Sequence, residues 1–178
     1  MGQIHLHAPV LLFMAAFSRY ETALEWAKRH AECHWGPIAL ISEPFPFTQT
    51  RYYEQTMGTD LHKCFIAFQR LIDPAELIAM KHQTNTWEQE YQKVSDWSES
   101  RPLNLDPGYL TEAKLILAST KDRDHRLYLG RGIYADQTLY FRRGIWQARD
   151  WMYPDYRCAT YHAFFTRCRD YLRQQYRK

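Results

Sequence analysis

The sequence predicts an α+β domain with a mainly antiparallel sheet, a ferredoxin-like βαββαβ core extended by a C-terminal β-hairpin and helix. Three patterns predict it. Apolar runs of strand length alternate with two helix-start signals, in the order strand-helix-strand-strand-helix-strand. Two alternating segments flank a glycine-bounded tip at 130–132. The C-terminal stretch keeps its apolar residues at helical spacing.

Residues 8–17 (APVLLFMAAF) are continuously apolar, the pattern of a central strand buried on both faces. Ser18-Arg19-Tyr20-Glu21 follows as an S-x-x-E capping box. The helix it opens turns Ala23, Leu24, Ala27 and Ala31 inward and stops at Gly36-Pro37. Residues 38–45 (IALISEPF) read as a second strand, and Pro44 and Pro46 bar it from a central position beyond Glu43. A long polar-aromatic loop, FTQTRYYEQTMGTDLH, leads to a third strand at 63–71. Asp73-Pro74-Ala75-Glu76 opens the second helix, with Asp73 as N-cap, proline at N1 and glutamate at N3.

After a polar linker at 96–101, residues 103–106 read as a short strand ended by Pro107-Gly108. Residues 111–119 read as a short helix capped by Thr111, with a strand through LILAST as the alternative. In the hairpin of 126–129 and 133–141, Ile133, Ala135, Gln137, Leu139 and Phe141 are expected on one face. Tyr134, Asp136, Thr138 and Tyr140 take the other, which faces solvent or lines a site. The last helix buries Tyr161, Phe164, Phe165, Cys168, Tyr171 and Leu172 and presents Arg167, Arg169, Arg173 and Arg177. The expected core comprises Leu11, Phe13, Leu24, Ala27, Ile38, Leu40, Phe65, Phe68, Leu77, Leu115, Leu117, Leu139, Phe164, Cys168 and Leu172.

Residues 1–178 fit one domain, long enough to bury a core without staples. A hydrophobic fraction of 46% excludes intrinsic disorder. Four scattered cysteines without a C-x-x-C pair, and no secretory pattern, point to reduced thiols and a cytoplasmic location. The apolar run at 9–17 is too short to span a bilayer, so no membrane association is expected. Residues 1–100 hold 8 Lys+Arg against 12 Asp+Glu, a net −4, and residues 101–178 hold 15 against 8, a net +7. An anionic ligand is therefore expected on the C-terminal part, unless the excess is a plain solvated face.

Candidate functional residues concentrate in 104–136. In Thr120-Lys121-Asp122-Arg123-Asp124-His125-Arg126, Lys121 and Arg126 suit an anionic group and His125 suits proton transfer, with Asp122 or Asp124 orienting the imidazole. Asp106 before Pro107-Gly108 suits a metal ligand, a contact to a ribose hydroxyl or a base, or simply stabilises a turn. Trp151 and Tyr153 can stack a base or sugar ring, and Asp155 and Arg157 can pair or hold polar groups. The aromatic loop around Phe45 and Arg51-Tyr52-Tyr53-Glu54 is a lid or a loop packed by its own rings. His30 and His34 lie one helical turn apart, but no second ligand pair accompanies them, so no metal site is assigned. No phosphate-loop motif G-x-x-x-x-G-K-[ST] and no G-x-S-x-G elbow occurs.

Segments 36–58, 104–141 and 151–157 (WMYPDYR) resemble the prokaryotic family catalogued as domain of unknown function 4416. The resemblance covers nearly the whole chain and implies no established reaction, fold or catalytic residue. The expectation is a protein binding a phosphate-bearing ligand, a nucleotide or RNA end, with phosphoryl or phosphodiester chemistry if it is an enzyme. His125 and Asp106 would then be the catalytic groups. Lys121, Arg126, Arg131, Asp136, Tyr153, Asp155 and Arg157 would bind the ligand, in a pocket where Asp106, Lys121, His125 and Arg126 converge. The sequence names no cofactor and does not fix whether the protein is an enzyme. The alternatives are a protein-interaction module using the exposed aromatics, and RNA binding through the arginine face of the last helix.

Overall fold

A computed structural model describes residues 2–177. Its centre is the strand Val10–Ser18 (β1), buried throughout, with Leu12, Met14 and Ala16 on one face and Leu11, Phe13 and Ala15 on the other. Helix Glu21–Trp35 (α1) packs Ala23, Leu24, Ala27 and Ala31 on the first face and ends at Gly36, whose φ of 95° a side chain would resist. The expected capping box does not form. Tyr20 is the N-cap, and the Ser18 hydroxyl donates to the Pro102 carbonyl at 2.6 Å.

The expected second strand is split into Ile38–Ile41 (β2) and Phe45–Pro46 (β3), both pairing with His62–Ile72 (β4). The loop between β3 and β4 contains a short helix, Glu54–Met57 (α2), and folds Phe47, Met57 and Leu61 onto Phe17. The helix start at Asp73 is as expected. Its carboxylate accepts from Ala75 N, and Glu76 accepts from Asp73 N, ahead of helix Leu77–Val94 (α3).

Two expectations fail next. Pro107-Gly108 ends no strand, because both lie within Asn104–Leu110 (β5). Residues 111–119 are not a helix. Thr111 makes a turn, its hydroxyl accepting from Ala113 N and Lys114 N, and Lys114–Ser119 (β6) is a strand. The hairpin of Arg126–Gly130 (β7) and Ile133–Arg142 (β8) is as expected. Arg131 and Gly132 at its tip both have positive φ, 52° and 77°. Its faces are not as expected. The β6–β8 register shifts beside Leu115, so Ile133 and Ala135 belong to the α3 side while Leu139 and Phe141 belong to the opposite side. A further strand, Ile145–Ala148 (β9), extends β8.

The sheet order is β2-β4-β1-β5-β6-β8-β7, with β3 on β4, β9 on β8 and every pairing antiparallel. β4 thus lies between β1 and β2, the two strands joined through α1. The α+β, mainly antiparallel expectation holds. α1 and α3 cover one face; Ala159–Gln175 (α4) covers the other, with Phe164, Phe165, Cys168 and Leu172 on Leu11, Phe13 and Phe65. Phe13 and Phe165 meet edge to face at 5.4 Å, an arrangement adding about 0.5–1.5 kcal/mol to simple burial. Of the expected core, only Ile38, Leu40 and Leu117 are half-buried. The first two lie on an edge strand, and the third lines the cleft described next. No described helix is long and apolar enough to cross a membrane.

Candidate functional site

The sheet splits between β5 and β6, and the split makes a cleft. β5 and β6 pair only at Gly108↔Leu117, Tyr109↔Ile116 and Leu110↔Leu115. Beyond Gly108, β5 continues along β1 and β6 continues along β8. Backbone direction explains the parting. Thr111 N–H bonds to Lys114 C=O, so in steps of two Tyr109, Pro107 and Leu105 also turn their backbone toward β6. Pro107 has no N–H to continue the ladder. Gly108 holds the last contact because a Cβ there would lie 2.4 Å from the Ile116 carbonyl and 2.6 Å from the Phe13 ring.

Leu105 therefore faces the cleft with an N–H and a C=O that no strand satisfies. Side chains of α3 satisfy both. Glu88 Oε1 accepts from Leu105 N at 2.7 Å, and Lys81 Nζ donates to Leu105 O at 2.9 Å. Lys81 also donates to Asp106 Oδ1 at 2.9 Å, and Asn104 Nδ2 donates to Asp106 Oδ2 at 2.8 Å. Glu88 Oε2 accepts from Arg101 Nε and Nη2. Burial alone would raise the Asp106 pKa. The Lys81 charge and hydrogen bond, with Arg101 and Asn104, outweigh it and hold the carboxyl below the usual range. Burial wins at Glu88, whose pKa is raised despite Lys81, Arg101 and the Leu105 N–H.

The facing wall is a second ion pair. Arg126 Nε donates to Asp136 Oδ2 at 2.8 Å, Nη1 donates to Ser119 Oγ and Lys121 O, and Nη2 donates to Tyr153 Oη at 3.3 Å. These bonds take four of the five guanidinium N–H groups. Asp136 Oδ1 is buried with no hydrogen-bond partner among the described residues. Between the walls lies a cavity of about 120 Å³, lined by Lys81, Arg101, Lys121 and Arg126 against Asp106 and Asp136, with Tyr53 and Tyr153 beside them. It is smaller than sites that enclose a drug-sized molecule, roughly 300 Å³ and above.

The segment carrying Tyr153 is anchored below the cleft. Asp155, in the 3-10 turn Pro154–Arg157, accepts from Lys63 Nζ at 2.6 Å, and both side chains are buried. The ammonium lies 4.1 Å from the Phe47 ring centroid, 5.1 Å from Phe17 and 5.2 Å from Tyr156.

Asp106, Lys121, Arg126, Asp136 and Tyr153 thus line one cleft. His125 does not line it. It lies in an adjoining hollow with Arg123, Trp151 and Met152, reached past Arg126, Asp136 and Tyr153. There its Nδ1 contacts Asp124 Oδ1 at 3.1 Å, its Nε2 lies 3.7 Å from Asp136 Oδ2, and its ring stacks on Trp151. Asp106 is not at a strand end before a helix, since it sits mid-strand opposite Ala15. Arg131 is at the hairpin tip, its carbonyl bonded to His82 Nε2. Asp155 is consumed by Lys63, and Arg157 donates to the Asp150 carbonyl at 2.6 Å. None of these three lines the cleft.

Sequence reasoning missed Lys81, Glu88 and Arg101. Lys81 and Glu88 are seven residues apart on the inward side of α3, whose buried positions include Leu77, Thr84 and Tyr91. Charged residues at such positions were the available signal. Among the described residues no three His, Cys, Asp or Glu side chains gather as a metal-binding set. All four cysteines are free, and burial pushes the Cys64 thiol up to about 12, unlike an activated nucleophile.

The model of a family described as "Domain of unknown function (DUF4416)" matches residues 8–171. No curated protein and no solved structure matches the chain.

Proposed function

This chain belongs to the DUF4416 family, and we propose, from the geometry of its cleft, that the space between β5 and β6 binds a phosphate-bearing ligand, a nucleotide or an RNA end. The observation that carries the reading is the lining of the cleft: four cations, Lys81, Arg101, Lys121 and Arg126, against two carboxylates, with Glu88 behind the lining as the partner of Arg101. Both carboxylates are already engaged, Asp106 by Lys81 and Asp136 by Arg126. The bonds to Leu105 O and Asp106 leave one of the three Lys81 N–H groups for a ligand oxygen. Fixed cations in a recess favour a phosphate more than the same charges on an open surface.

Binding is better supported than catalysis. A carboxylate held below its usual pKa is a weak general base, so Asp106 suits anchoring Lys81 more than taking a proton. If chemistry occurs, the proton-transfer role falls to His125 in the next hollow, across the Arg126–Asp136 pair. A thermal-shift screen of mononucleotides, sugar phosphates and pyrophosphate tests the reading. A ligand at a hundred times its Kd should stabilise the fold by about 2.7 kcal/mol, with the shift shrinking at high salt. A flat response to every phosphorylated compound at low salt would sink it.

A second reading, a protein-interaction surface, draws on Tyr52 at 67% and Trp151 at 57% exposure. It requires a partner captured through those rings and no thermal response to small phosphates.

A further inference from the structure

The cleft opens into a second hollow. This vestibule of about 220 Å³ is lined by Thr50, Tyr52, Tyr53, Lys121, Arg123 and Tyr153. Tyr53, Lys121 and Tyr153 line both spaces, so the two adjoin along those side chains. Among the described residues no carboxylate lines the vestibule, in contrast to the inner cleft.

Two of its three tyrosines are exposed but tethered. Tyr52 and Tyr153 are 67% and 47% exposed, while each hydroxyl is tied to a cation. Lys121 Nζ donates to Tyr52 Oη at 3.0 Å, and Arg126 Nη2 donates to Tyr153 Oη at 3.3 Å. The Tyr52 ring meets Tyr53 edge-on at 5.0 Å, so the loop from β3 to β4 carries two rings fixed against each other. Tyr53 in turn packs on Phe17 at the end of β1. Lys121 Nζ also lies over one face of Tyr52, 4.6 Å from the ring centroid, which leaves the opposite face as a stacking platform in an otherwise polar recess.

We infer that the vestibule takes a planar ring carried by the same ligand whose phosphate occupies the fork of the sheet, the cleft between β5 and β6, so that the ligand is of the nucleotide type. The assignment rests on the phosphate reading above and adds to it the part of the ligand that the tyrosines contact. Lys121 stands at the junction, where a ribose-phosphate would link the two spaces. Stacking on tyrosine faces tolerates any base, so the ring class is fixed and the base is not.

Isothermal titration with inorganic phosphate, ribose 5-phosphate, the four nucleoside 5′-monophosphates and O-phosphotyrosine separates the two claims. At least one nucleotide should bind about tenfold or more tighter than ribose 5-phosphate, since stacking one base on an aromatic side chain has that order of effect. Tyr52→Ala should remove that advantage, and Tyr52→Phe, which loses the same bond to Lys121 but keeps the ring, should retain it. A 5′-phosphorylated oligonucleotide giving the same gain identifies an RNA end as the source and supports the inference equally. Equal affinity for nucleotide and ribose 5-phosphate would overturn the ring assignment while leaving the phosphate reading intact. Tighter binding of O-phosphotyrosine than of every nucleotide would overturn it in favour of a peptide ligand. Absence of binding by all the phosphates would remove the phosphate reading and this inference together.

Discussion

Two lysine–aspartate pairs flank the same end of β1, and they serve opposite ends. Lys63, opposite Phe17, binds Asp155 inside a cage of Phe17, Phe47, Tyr156 and Tyr161. Lys81 binds Asp106, opposite Ala15, in a fork where the sheet has parted. The first pair is closed: rings occupy the space around the ammonium, and no described cleft reaches it. The second is open, because Asp106 keeps 31% of its side chain exposed and Lys81 lines a cavity. An ion pair indicates a site only where the geometry leaves volume and a donor over. The closed pair instead holds the segment that brings Tyr153 to the open one.

Breaking the closed pair should have the largest effect on stability. Asp155→Ala leaves a buried ammonium without its counter-charge, which typically costs about 3–5 kcal/mol. Chemical denaturation checks this, and Lys63→Met with Asp155→Leu together should recover much of the loss. A loss under about 1 kcal/mol for the single variant would show that water reaches the cage. Gly108→Ala comes next. Its Cβ would lie 2.4 Å from the Ile116 carbonyl, so the strands must shift where they last touch. About 1–3 kcal/mol of destabilisation is expected, together with altered ligand binding if the fork is the site.

How much of this was readable from sequence depends on where the deciding contact lies. The helix start at Asp73 and the hairpin tip at Arg131-Gly132 were legible, because caps and turns are settled within a few residues. Residues 114–119 were not. LILA suits a helix or a strand, and pairing with β8, which begins only at Ile133, decided it. Pro107-Gly108 looked like a stop for the same reason. Only the missing β6 partner beyond Gly108 reveals that proline opens the fork while the chain stays extended on β1. The acidic and basic residues within 104–136 read as one concentration, yet their division between two hollows depends on the Arg126–Asp136 bridge. The α3 side chains that complete the cleft came from a helix that reads as ordinary packing.

The pH profile sharpens the comparison further. The Asp106 pKa is depressed in the folded state, so its contribution to stability is complete above the unfolded carboxylate value. That contribution is lost as pH falls through the lower folded value. Asp106→Asn should therefore flatten the acid limb of the stability curve, measured by denaturation from neutral pH downward. An acid limb identical to that of the unsubstituted protein would show that Lys81 does not stabilise the ionised carboxylate. The smallest effect is expected far from both pairs. Arg131→Asn places a residue suited to positive φ at the hairpin tip and should change stability by no more than about 0.5 kcal/mol.

The most direct test of the open pair is titration of ribose 5-phosphate or the preferred nucleotide against Lys81→Met and Arg131→Ala, both checked for folding by thermal denaturation. Each removes one positive charge, so long-range attraction falls equally. If the fork binds phosphate, Lys81→Met should weaken binding about tenfold or more, the scale of one charge-assisted hydrogen bond, and Arg131→Ala should weaken it far less, by the shared long-range part alone. Equal weakening in the two variants, or none in either, would contradict the assignment of the cleft.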